Sequence, residues 1–179
     1  MNNRPNWQDV SRRSLQPVPA NLRAELLNRG SLTARVRELF GSVSVELLRH
    51  QNATPELEER HATGISDGRL GLIRDIYLQA GGERRIFAHT VIPLSTLRGE
   101  GRQFGRLGRK PLGAALFANP NMHRGPLQVT QLSARHALYH QALQSVDARP
   151  DCIFGRRSQF FLPNGRSLLV AEFFLPAFS

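Results

Sequence analysis

The chain has 179 residues, 40% of them hydrophobic, and a formal net charge of +10 from 24 Lys and Arg against 14 Asp and Glu. That length suits one domain with its own core, and no apolar run approaches the roughly 20 residues that span a bilayer. A single cysteine, Cys152, excludes an intramolecular disulfide and leaves no Cys cluster for zinc.

Met1-Asn-Asn-Arg-Pro-Asn-Trp-Gln8 has no apolar stretch of the signal-peptide kind, so a cytoplasmic location is expected. Residues 1–20 read as a flexible N-terminal segment of a single domain spanning 1–179. Asn21 to Gly30 predicts a short helix with a glycine stop, and Ser31 caps a second helix that runs to Phe40. Val43 to Arg49 predicts a strand. Residues 51–68 are polar and carry Pro55, Gly64 and Gly68, which predicts a mobile loop with one helical turn over Glu56 to His61. A hairpin follows, with strands Leu70–Gln79 and Arg84–Ile92 joined through Ala80-Gly-Gly-Glu83.

Ser95 to Gly108 predicts a helix, and Pro111 to Phe117 another, with Pro111 at its first turn. Leu127 to Leu132 fits a strand. Ala134 to Leu143 has a helical composition, although the whole stretch 133–151 reads equally well as an irregular insertion. A last hairpin, Ile153–Leu162 and Arg166–Leu175, turns at Pro163-Asn-Gly165. Hairpin strands with helices before and between them predict an α+β fold, an antiparallel sheet covered by helices.

The positive charge does not by itself specify a partner. Only Arg98 to Lys110 is locally basic, and Phe104 is its one aromatic, which is a poor footprint for nucleic acid. A field that draws in a small anion fits as well. Gly99-Glu-Gly-Arg-Gln-Phe-Gly105 follows no strand and matches no phosphate loop. His136 and His140, four apart, lack the third ligand of a metal site and read as a surface pair.

Two charges interrupt apolar strand faces. Arg74 alternates in phase with Leu70, Leu72, Ile76 and Leu78, and Glu172 with Leu168, Val170 and Phe174. Each needs a partner, because an unpaired charge in an apolar face is costly. Either the two form one buried salt bridge, or they face each other across a pocket and hold a polar ligand. His89, on the strand beside Arg74, reads either as a satisfied core or edge histidine, the better reading, or as a candidate pocket residue able to titrate near neutral pH. The helix starts after Ser31 and Pro111 offer free N–H groups to a carboxylate.

In order and spacing, Gly30-Ser-Leu-Thr-Ala-Arg-Val36, Arg74-Asp-Ile-Tyr-Leu78, Ile86-Phe-Ala-His-Thr-Val-Ile-Pro93, Leu107-Gly-Arg-Lys-Pro-Leu-Gly-Ala-Ala-Leu-Phe117, Gly155-Arg-Arg-Ser158 and Leu168-Leu-Val-Ala-Glu-Phe-Phe-Leu-Pro176 resemble the chorismate lyase family. The resemblance covers about Leu22 to Pro176 and is weakest over 123–151. It implies a six-stranded antiparallel sheet, flap segments over a buried pocket, and a monomeric, cofactor-free and metal-free enzyme with no membrane anchor and no nucleic-acid partner. The implied reaction converts chorismate to 4-hydroxybenzoate and pyruvate, the start of ubiquinone ring synthesis. Arg74 matches the arginine that binds the ring carboxylate. Glu172 matches the glutamate near the departing ether, and Leu32 and Leu112 supply backbone amides. Burial of Glu172 is expected to raise its pKa and fit it to protonate the leaving group. His89 stands where the family often has arginine, which implies a pH-dependent charge at the pocket. The alternatives are a sensor domain of the same fold that binds a carboxylate without turnover, and a basic nucleic-acid-binding module.

Overall fold

A computed structural model describes residues 3–178; Met1 and Asn2, which open the expected flexible segment and the leader-free start, and Ser179 lie outside the described residues. In chain order the elements are β1 (Gln8–Asp9), α1 (Arg12–Leu15), α2 (Ala20–Leu27), α3 (Leu32–Phe40), β2 (Val43–Ala53), α4 (Leu57–Thr63), β3 (Gly71–Ala80) and β4 (Glu83–Pro93). A 3-10 helix (Gly99–Arg106) precedes α5 (Leu112–Ala118), β5 (His123–Arg124), β6 (Gln128–Ser133), α6 (Ala137–Leu143), β7 (Cys152–Phe161) and β8 (Ser167–Phe174). The eight strands form one open antiparallel sheet in the order β1-β6-β7-β8-β4-β3-β2, with β5 paired to β7. The sheet expected to have about six strands thus gains two, β1 and β5, of two residues each.

Both hairpins form where their turns are written. Gly81 and Gly82 take φ of 61° and 78°, and Gly165 takes 77°, a region that L side chains avoid and hairpin turns require. Ser31 caps α3 by accepting the Ala34 N–H at 3.3 Å, and Gly41 ends it. The segment from Ser95 to Gly108 departs from the expected helix and holds only a 3-10 stretch. Its glycines disfavour a regular helix, and Phe104 and Leu107 are its buried anchors. The strand begun at Val43 continues to Ala53, and α4 fills the centre of the expected loop. Leu70 falls just outside β3 and is exposed, so it does not share the buried face of Arg74.

Strand alternation gives the sheet two covered faces. On one, α2 and α3 bury Leu22, Leu26, Leu32 and Val36 against Ile76, Leu78, Ile86 and Phe174, while α5 and the 3-10 segment bury Phe104, Leu112 and Leu116 against Leu72, Ile92, Phe160 and Val170. On the other, α6 packs on Tyr77, Phe87 and Phe173, and the α4 region packs on Ile73, Val91 and Leu169. A polar belt separates the two clusters on each face, and it crosses the sheet at Arg74, Asp75, His89, Glu172, Arg156 and Arg157. The segment ahead of α2, expected to be flexible, has defined contacts. Asp9 pairs with Gln128, and Trp7 packs at a tilt against Phe173, ring centres 5.9 Å apart, while its Nε1 donates to Glu58 at 3.0 Å. His136, expected on the surface, is buried and accepts the Ser133 N–H on Nδ1 at 3.0 Å, closing the turn into α6.

Candidate functional site

The belt on the α2/α3/α5 face opens into a narrow cavity between the two apolar clusters. Its floor is Arg74, Ile76 and Leu78 from β3, Ala88 and Thr90 from β4, and Val170 and Glu172 from β8. Gly30 and Thr33 at the start of α3, Leu112, Gly113 and Leu116 of α5, and Arg124 of β5 roof it. The two helix starts meet here: a Cβ on Gly113 would lie 3.4 Å from both Ser31 Oγ and Thr33 Oγ1. Leu32 and Leu112 are the first residues of α3 and α5, so their N–H groups have no acceptor within their own helices.

Arg74 and Glu172 line this one cavity and do not pair with each other. Arg74 is 1% exposed and donates from Nη2 to the carbonyls of Gly108 (3.1 Å) and Lys110 (2.9 Å). Its Nε is buried without a partner, and no carboxylate pairs with it among the described residues. Desolvation lowers its pKa to about 10, which leaves it cationic at neutral pH. Glu172 instead accepts from Arg156 Nε on Oε2 at 2.8 Å, and Arg156 is fully buried. Arg156 Nη1 donates to the carbonyls of Glu25 (2.8 Å) and Asn28, where α2 ends, so one guanidinium ties β7, β8 and a helix C-terminus together. The single salt bridge between Arg74 and Glu172 that the strand faces allowed is therefore not formed, and Glu172 is presented to the cavity as one half of an ion pair.

His89 does not reach this cavity. In β4 its neighbours Ala88 and Thr90 face the cavity, and period-two alternation turns His89 to the opposite face. There its Nδ1 lies 2.6 Å from Asp75 Oδ1 and its Nε2 2.8 Å from Glu59 Oε1. Burial alone would lower the imidazole pKa, but the two carboxylates outweigh it and raise it to about 10. The imidazole is thus held cationic through neutral pH, and it lies behind the sheet, where His89 with Arg49, Glu58, Glu59 and Ile73 lines a second cavity. Glu59 is held below the usual carboxylate range: burial works against this, and the charge and hydrogen bond of His89 prevail.

Arg124 and Arg156 are the residues that sequence reading missed. Arg156, within Gly155-Arg-Arg-Ser158, carries the same signal as Glu172, a charge in phase with Phe154, Ser158 and Phe160 on a strand. Arg124 carried no signal, since a two-residue strand has no pattern to interrupt.

A model of the family described as "Chorismate lyase" matches residues 1–179. The chain is 41% identical over 176 residues to a protein of Aromatoleum aromaticum named "Probable chorismate pyruvate-lyase", covering 97% of this chain and 95% of that protein. A Thiobacillus denitrificans protein of the same name is 38% identical over 160 residues, covering 89% and 85%. Among solved structures, the effector domain of PhnF from Mycobacterium smegmatis superposes with a TM-score of 0.54 at 17% identity, covering 84% of this chain and 91% of that one. A GntR-family transcriptional regulator from Bacillus cereus does so with 0.55 at 14%, covering 75% and 92%. These two likenesses concern the fold.

Proposed function

Because the chain belongs to the chorismate lyase family, we propose that it eliminates pyruvate from chorismate and releases 4-hydroxybenzoate for ubiquinone ring synthesis. It does so as a cytoplasmic monomer without cofactor or metal. The observation that carries this reading is a buried arginine, Arg74, with no carboxylate partner among the described residues, aimed into the same cavity as an ion-paired glutamate. A buried cation of this kind is satisfied by an anionic ligand. Arg74 holds the ring carboxylate through its Nε, which has no partner among the described residues, helped by the N–H groups of Leu32 and Leu112.

The reaction needs orientation and one proton relay. The bond from the ring to the ether oxygen breaks, and its electron pair leaves with the enolpyruvyl oxygen. The neighbouring carbinol carbon loses its proton, and that electron pair completes the aromatic ring. The freed enolpyruvate takes up a proton at carbon and becomes pyruvate. Glu172, held in place by Arg156, accepts the carbinol proton and returns it to the enolpyruvate. This differs from the acid-first role expected from burial alone, because the ion pair starts the cycle with a carboxylate.

Purified protein mixed with chorismate should yield 4-hydroxybenzoate and pyruvate in equal amounts, followed by absorbance and mass, with the same rate in excess chelator. Loss of activity on chelation, restored by a metal, would sink the metal-free reading. Tight binding of 4-hydroxybenzoate without turnover would favour the sensor role. Binding to nucleic acid that weakens steeply with salt would favour the third reading, which several arginines already engaged by protein carboxylates do not support (Arg35 with Glu25, Arg84 with Glu46, Arg157 with Glu58).

A further inference from the structure

The cavity holds a second arginine that the reaction as written does not use. Arg124 projects from β5 at the far side of the cavity from β3. Its Nε donates to Ser158 Oγ at 3.0 Å and its Nη1 to the Arg29 carbonyl at 2.6 Å, and the guanidinium lies 5.3 Å from the centre of the Phe160 ring. These three contacts fix its orientation and leave Nη2 without a hydrogen-bond acceptor among the described residues. No carboxylate pairs with Arg124 there either; the nearby Glu172 is held by Arg156.

We infer that Arg124 binds the enolpyruvyl carboxylate of chorismate and so selects the dianionic substrate over the monoanionic product. This rests on the chorismate reading above. The charges around the cavity support it. Glu172 and Arg156 cancel, which leaves Arg74 and Arg124 to face a ligand with two negative charges. Their placement supports it too. β3 and β7, over which Arg124 lies, are separated by β4 and β8, so their axes are roughly 14 Å apart at sheet spacing. Two arginine side chains reaching inward across that span suit a ligand with an acid at each end. Desolvation, the neighbouring Arg156 and Arg29 lower the pKa of Arg124 to about 10, opposed by Glu172, so it remains a cation at neutral pH. Its position also places a positive charge beside the enolpyruvyl oxygen as that atom takes the electron pair of the broken bond. 4-Hydroxybenzoate has no group for Arg124, so once pyruvate departs this contact is empty.

The test measures two ligands on three proteins: unmodified, Arg124→Met and Arg124→Lys. Arg124→Met should raise KM for chorismate about tenfold or more, the effect of losing a charged hydrogen bond, while the Kd for 4-hydroxybenzoate stays within about twofold. Arg124→Lys should recover part of the loss in KM, because it restores the charge but not the planar fork whose contacts to Ser158 and Arg29 fix its orientation. An equal weakening of both ligands, or no change in either, overturns the assignment. A merely structural role would lower the melting temperature and move both ligands together. If the unmodified protein neither binds nor converts chorismate, the substrate reading fails and this inference with it. If it converts chorismate and Arg124→Met shifts both ligands alike, only this inference fails.

Discussion

Glu172 and Arg74 look symmetrical as sequence, each a charge within an apolar strand face, yet their energetics differ. Glu172 and Arg156 form a pair in which Arg156 is buried and Glu172 is 19% exposed toward the cavity. Arg156→Met therefore leaves a partly solvated carboxylate and should cost less than the about 3–5 kcal/mol of a fully buried pair, and the double change with Glu172→Leu should recover part of it. Arg74 has no such partner, so Arg74→Met should leave stability unchanged or raise it, while 4-hydroxybenzoate no longer protects the variant from melting. Thermal melts with and without 4-hydroxybenzoate decide the point; equal protection of Arg74→Met and the unmodified protein would remove Arg74 as the carboxylate anchor. Glu172→Gln can still accept from Arg156 and should retain product binding, but under the proposed mechanism it cannot relay the proton, so kcat should fall with little change in the product Kd.

α4 shows how an element is fixed by charge rather than by apolar burial alone. Glu59 accepts the Glu56 N–H on Oε2, which caps the helix, and on Oε1 it meets His89 of the sheet. Asp75 holds the other side of the imidazole, Arg49 lies 3.9 Å from Asp75, and Arg157 pairs with Glu58 beside them. His89 has a folded pKa raised from 6.5 to about 10, so its stabilising contribution is complete below about pH 6.5 and is lost as pH rises toward 10. Glu59, lowered from 4.5, contributes above about pH 4.5 and loses that contribution as pH falls through its folded pKa. Glu58, raised by burial above the usual value, acts in the opposite sense on the acid side. The melting temperature should thus decline from about pH 6.5 toward 10, and His89→Arg, which keeps a cation at every pH, should flatten that alkaline slope. An unchanged slope in that variant would remove His89 as its source. The β7–β8 pair is tight in a different way. A Cβ on Gly155 would lie 2.3 Å from the Phe173 ring, so Gly155→Ala should cost about 1–3 kcal/mol in a melt and, by parting the strands, also disturb the Arg156–Glu172 pair.

At the scale of the whole molecule, the net charge of +10 acts mainly through its field. Arg102, Arg106, Arg109 and Lys110 are exposed along and just after the 3-10 segment, while Phe104 and Leu107 anchor it to the core. Reversing the charge of Arg102 and Arg106 should lower kcat/KM for chorismate at low ionic strength, and the deficit should vanish at high salt, where the Debye length is about 3 Å. A deficit that persists in high salt would mean direct contact with substrate.

The sequence alone determined the α+β class, both hairpins and the α3 cap, because turn glycines, N-caps and period-two alternation act within a few residues. It also showed that Arg74 and Glu172 needed partners, since the cost of a charge on an apolar face is local. Who those partners are was decided only in the folded sheet. Strand order places Arg156 opposite Glu172 across the β7–β8 ladder, and alternation in β4 turns His89 away from the cavity and onto Glu59 from a distant helix. Arg157 meets Glu58 about a hundred residues away in sequence while Arg74 meets no carboxylate among the described residues, and nothing in a local pattern encodes that choice.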